Sequence, residues 1–127
     1  MSLRGISLGP AIARPIACTA ALLLASCAGL SDKGSCEKGE ISYYAQKFDG
    51  RKTASGEIYS NEGMTAAHRS LAFGTRLQVS VDGTRVYVRV NDRGPFARSR
   101  ILDVSAKAAR ELGLMQRGHA DAEVCVE

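Results

Sequence analysis

The residues best suited to chemistry stand where an alternating run meets a bend. In "VRVNDRGPF" (residues 88–96) an amide, a carboxylate and a guanidinium, Asn91, Asp92 and Arg93, lie side by side just ahead of Gly94 and Pro95. Gly94 permits a tight backbone path and Pro95 fixes one φ angle. A carboxyl group anchored at a strand end can exchange protons with a bound molecule, which is general acid–base work. Two further carboxyl groups, Glu57 and Asp103, and the imidazole of His68 occupy polar stretches elsewhere in the chain. Each has a structural reading as well. Glu57 suits a solvated turn, His68 a loop cap and Asp92 an acceptor for turn amides. Arg93 suits an internal ion pair with its neighbour.

Other chemistries find less support. Neither His68 nor His119 has metal-ligand spacing to a second His or to a Cys, so no metal site is expected. There is no Gly-rich phosphate loop and no nucleophile elbow, and no cofactor is expected. The chain carries 17 Lys+Arg against 13 Asp+Glu, with both signs interspersed. That pattern makes no case for nucleic acid.

The elements that must position these groups are mostly strands. "EISYYA" (40–45) is rich in β-formers. In "RLQVSV" and "RVYVRV" Leu77, Val79 and Val81, then Val86, Val88 and Val90, alternate with polar residues. Asp82-Gly83 between the two runs is a hairpin signal. "RILDV" reads as a further strand and "DAEVCVE" as the last. In "SAKAARELG" Ser105 can cap a two-turn helix and Gly113 can end it. Two long loops, 48–63 and 64–75, remain. Many short strands with one small helix point to a closed or nearly closed β-barrel.

The N-terminal segment follows another plan. Arg4 and Arg14 are the only charges before Asp32, and "PIACTAALLLASC" follows Arg14. A basic region, a short apolar run and small residues read as a secretory signal, with a buried apolar helix as the alternative. "LASC" (24–27) resembles the lipobox of bacterial lipoproteins, which implies cleavage after residue 26, acylation of Cys27 and attachment to a membrane by lipid. Ala28 follows instead of Asp, which by the same resemblance implies the outer membrane, facing the periplasm. Residues 27–38 then read as a short tether and 39–127 as one domain. Cys36 and Cys125 stand near the two ends of that domain. In an oxidising compartment they read as a disulfide, with two unpaired thiols as the alternative. A monomer is expected.

The motifs "TASGE", "TAAHRSLAFGT", "NDRGPF" and "RILDVS", in that order, resemble the rare lipoprotein A (RlpA) family from about Gly39 to Val126. The resemblance implies a mainly β fold, a six-stranded double-psi β-barrel with one or two short helices. It implies a lytic transglycosylase acting on peptidoglycan glycan strands. By motif matching it places Glu57, His68 and Asp92 at the catalytic positions. Tyr44, Asn91, Arg93 and Asp103 are then expected to contact substrate. A lytic transglycosylase protonates the glycosidic oxygen and deprotonates the muramoyl 6-hydroxyl that attacks C1. One carboxyl group can do both in turn, and Glu57 beside Asp92 would supply a like charge to raise its pKa.

Two departures stand out. Tyr43 and Ala45 replace a Trp and a Gly common in the family, and Ser60 stands where an Asp is common. They keep a second reading open, a wall-binding or wall-loosening module of the expansin type without turnover.

Overall fold

The computed structural model describes residues 33–127. The signal segment and Cys27 lie outside the described residues. Six strands, β1 (Cys36–Tyr43), β2 (Thr65–Ala67), β3 (Arg76–Val81), β4 (Thr84–Asp92), β5 (Arg100–Val104) and β6 (His119–Val126), and one α-helix, α1 (Ala106–Leu112), form the domain. A single 3-10 turn, Gln46–Phe48, follows β1.

The strands close into a barrel in the order β1-β5-β2-β4-β3-β6. The β1–β5 and β2–β4 pairs are parallel and the remaining pairs antiparallel. Alternation decides the inner face. Leu77, Val79 and Val81 from β3, Val86, Val88 and Val90 from β4, and Leu102 and Val104 from β5 fill the interior with Ile41 of β1. Burying each such side chain contributes about 1.5–3 kcal/mol. The β3–β4 hairpin turns on Asp82 and Gly83, both with positive φ (49° and 86°). That is the conformation a two-residue primed turn requires.

Helix α1 is bounded as its sequence predicts. Ser105 Oγ accepts from the Ala108 amide at 3.3 Å, and Gly113 ends the helix in the left-handed conformation at φ 77°. Ala108, Ala109 and Leu112 pack on the barrel core.

Two features differ from the reading by periodicity. The first is β2. Its three residues, Thr65, Ala66 and Ala67, are all buried, so they show no alternation and sat within an expected loop. A strand covered on both sides loses the period-two signal. The second is the start of the barrel. β1 begins at Cys36, inside the stretch read as tether, because residues 36–42 pair along β6. Cys36 and Cys125 are register partners in that pairing and are joined by a disulfide, with Cα atoms 4.0 Å apart.

Candidate active site

Strand β4 outruns the core it helps to fill. Asp92 has the parity of Val88 and Val90, but at the barrel's end its side chain emerges into a cleft of about 580 Å³. Tyr44, Phe48, Arg51, Arg93 and Asp103 line the same cleft. Asp92 Oδ1 accepts from the Ala54 amide at 2.8 Å and the Arg93 amide at 2.9 Å. Its Oδ2 accepts from the Tyr44 hydroxyl. Three donors from three separate segments hold the carboxyl group in one orientation.

A second carboxylate enters from β5. Ala67 of β2 is the register partner of Asp92 on one side and of Asp103 on the other. Leu102 and Val104 face the core, so Asp103 faces out into the cleft. Its Oδ1 accepts from Ser42 Oγ at 2.6 Å and from Arg100 Nη1 at 3.1 Å. The Tyr44 phenol feels both carboxylates. Burial raises its pKa first, then the hydrogen bond and charge of Asp92, then the charge of Asp103. The proton therefore stays on Tyr44, far above the ordinary phenol range. The ring is held from behind by Tyr59, stacked at 4.4 Å between centroids, whose own hydroxyl accepts from the Ala106 amide at the start of α1.

Glu57 lies elsewhere than beside Asp92. Its carboxylate receives Arg89 Nη1 at 2.5 Å and Nη2 at 2.9 Å, and Asn91 Nδ2 at 3.3 Å. Arg89 and Asn91 alternate with the core-facing valines, so this cluster sits on the outer face of β4. The Arg89 guanidinium, aided by Asn91, holds the Glu57 carboxyl below the usual carboxylate range. The like charge expected from Glu57 is thus absent from the cleft, where Asp103 is the second carboxylate. Asn91 itself is buried under the 53–57 turn, its carbonyl accepting from the Ser55 amide.

His68 also turns away from the cleft. Its Nδ1 accepts from the Ser70 and Leu71 amides, both at 3.1 Å, so the ring proton resides on Nε2, which lies 3.7 Å from Glu37 Oε1. Burial foremost lowers the imidazole pKa. The loop it caps is clamped by Arg93, whose Nη1 donates to the carbonyls of Leu71 at 2.8 Å and His68 at 3.3 Å. The Arg93 guanidinium rests on the Phe73 ring, 4.0 Å from its centroid. Arg93 is accordingly a structural clamp at the cleft wall as well as part of its lining.

Several site residues escaped sequence reasoning. Tyr59 and Phe48 lie in a loop without periodicity. Arg69 pins the 95–100 segment through the Pro95 and Ala97 carbonyls, at 3.0 and 2.8 Å. Phe96, 86% exposed, forms part of the cleft rim. The one available signal was a large aromatic next to Pro95, which a buried-core reading would have misplaced.

A closed six-stranded barrel with two parallel pairs and a cleft at one end defines a double-psi β-barrel domain. The Streptomyces papain inhibitor shares this fold, with a TM-score of 0.63 at 20% identity over 74% of this chain and 96% of that one. At that identity the likeness concerns the fold alone. Sequence goes further. A family model described as lytic transglycolase matches residues 36–124. The endolytic peptidoglycan transglycosylase RlpA of Haemophilus influenzae is 46% identical over 92 residues, 71% of this chain and 32% of that protein. The probable endolytic peptidoglycan transglycosylase RlpA of Nostoc sp. is 50% identical over 91 residues, 68% of this chain and 24% of that protein. The chain belongs to the RlpA-type lytic transglycolase family. It spans about a quarter to a third of the length of these curated relatives.

Proposed function

We propose that the domain cleaves peptidoglycan glycan strands as an endolytic lytic transglycosylase, with Asp92 as the acid and then the base. The observation that carries this reading is the anchored Asp92 carboxyl in an open cleft, with Asp103 across Ala67 and the Tyr44 phenol touching Asp92. In the first step the Asp92 proton passes to the glycosidic oxygen, and the bond from muramoyl C1 to that oxygen breaks. The leaving sugar gains a hydroxyl. The Asp103 carboxyl group, held by Ser42 and Arg100, faces the positive charge that develops at C1. In the second step the Asp92 carboxylate takes the proton from the muramoyl 6-hydroxyl as O6 closes on C1. The product is a 1,6-anhydro end, no water is consumed, and Asp92 regains its proton.

The other named residues serve this centre in different ways. Tyr44 and the amides of Ala54 and Arg93 aim Asp92. Glu57 fixes Arg89 and Asn91, and with them the 53–57 turn that supplies the Ala54 amide. His68 shapes the loop that Arg93 grips. Both act as positioning residues. The relatives' names support the substrate class, and an enzyme of this kind works in the cell envelope. Lipid on Cys27 would hold it on a membrane beside the wall, and Cys27→Ala should then release the full-length protein from the membrane fraction.

A second reading, glycan binding without turnover, rests on one observation. Both Asp92 oxygens already accept hydrogen bonds, whereas an acid must donate one. Incubating purified full-length protein with glycan strands separates the two. Release of 1,6-anhydromuramoyl ends supports turnover, and binding without them supports the second reading.

A further inference from the structure

The cleft holds four cations, and they are not equivalent. Arg100 is paired with Asp103, and Arg93 is committed to the His68 and Leu71 carbonyls. Among the described residues, Arg51 and Lys52 form no ion pair, although both are exposed and line the cleft. Their backbone is fixed. The Arg51 amide donates to the Phe48 carbonyl at 2.9 Å, the Arg51 carbonyl accepts from the Tyr59 amide at 2.7 Å, and Lys52 bridges Ile58. The nearby acid, Asp49, is occupied by the Asn61 amide at 2.7 Å.

The Arg51 side chain is oriented as well. Its guanidinium carbon lies 5.0 Å from the centroid of Phe48. Phe48 meets Tyr44 edge-on at 6.1 Å and 87°, and Tyr44 touches Asp92. A line of contacts thus runs from the candidate acid through two aromatic rings to an exposed guanidinium in the cleft lining. An exposed arginine held over a ring can offer its N–H donors to a planar anion.

We propose that Arg51 and Lys52 form a carboxylate subsite that reads the acidic group borne by a muramoyl ring. This rests on the glycan reading given above. A neutral amino-sugar polymer offers the cleft only hydroxyl and amide groups, whereas a muramoyl strand presents a carboxylate on every second ring. That carboxylate is either the free lactyl group of a bare strand or an acid of an attached stem peptide. Arg51 and Lys52 would make the cleft select charged glycan over neutral glycan of the same length.

The test measures binding of purified full-length protein to three probes: peptide-free glycan strands, the same strands with lactyl carboxyls converted to neutral methylamides, and strands carrying stem peptides. The wild type should bind at least one of the carboxylate-bearing probes about three- to tenfold more tightly than the neutralised strands, as two exposed charge contacts allow. The preference should shrink with added salt. In Arg51→Gln/Lys52→Gln it should vanish, with unchanged affinity for neutralised strands showing that the fold is intact. Dependence on these residues with peptide-free strands assigns the lactyl carboxylate. Dependence with peptide-bearing strands alone assigns the peptide. A wild type that binds all three probes equally, or a double variant that keeps the preference, overturns the subsite while leaving turnover untouched. A charge preference without 1,6-anhydro products would overturn turnover and leave the subsite standing.

Discussion

Tyr44 donates its phenol proton to Asp92 at the floor of the cleft, and the charges of Asp92 and Asp103 help to keep that proton in place. Tyr59, stacked behind Tyr44, is likewise raised, chiefly by burial. In the unfolded chain both phenols ionise near the ordinary value of 10.0. Above that pH the folded state holds protons that the unfolded state has lost, so stability is full below about pH 10 and falls as pH rises. His68 gives the opposite arm. Its pKa lies below the ordinary 6.5, so the unfolded state binds the extra proton. Its contribution is complete above about pH 6.5 and is lost as pH falls. Each arm is limited to about 1.4 kcal/mol per pH unit per proton. Denaturant midpoints across pH should show a plateau between the arms. Tyr44→Phe should flatten the alkaline arm, and His68→Gln the stretch just below about pH 6.5. An acid arm undiminished in His68→Gln would count against that assignment.

The role of Glu57 is tested by comparing two substitutions. As a positioning residue it is held ionised by Arg89, and an amide can still accept from Arg89 and Asn91. Glu57→Gln should therefore recover most of the glycan cleavage that Glu57→Ala loses, with the pH–rate limbs of the wild type. If both variants lose activity equally and a limb disappears, Glu57 transfers the proton itself.

The fold was legible to the extent that its strands keep one face dry. Val86, Val88 and Val90 declare β4 because polar residues stand between them, and Asp82-Gly83 declares the turn before it. Thr65–Ala67 declare nothing, since burial on both sides erases the pattern. The site followed the same division. Asp92 and Asp103 were readable as carboxylates at or near strand ends, but their meeting across Ala67 depends on barrel closure. Barrel closure also sends Glu57 to Arg89 and Asp92 to Tyr44, a choice made by strand parity and a 53–57 turn that local sequence does not encode. Arg51 and Lys52 look like any solvated pair until Phe48 and the cleft are placed beside them.

The disulfide predicts a stability difference. Cys36 and Cys125 close a loop with a sequence separation of 89. In the loop-entropy account such a bridge contributes roughly 4–5 kcal/mol. Cys36→Ala/Cys125→Ala should lower the denaturant midpoint accordingly, and reductant should do the same to the wild type alone. Equal stability of wild type and double variant under oxidising conditions would show that the bridge does not form in the mature protein.

Proton transfer by Asp92 is probed by the single substitution Asp92→Asn. The amide has nearly the same volume and can keep the acceptor role toward Ala54 or Tyr44, but it has no proton for the leaving oxygen. The measurement is the rate of 1,6-anhydromuramoyl release from peptide-free glycan strands, taken with the melting temperature and glycan affinity of the same preparation. Release should fall by at least about 100-fold, the lower end of general acid–base contributions, with melting and binding close to those of the wild type. Wild-type release by Asp92→Asn would contradict it and move the proton transfer to Asp103 or Glu57.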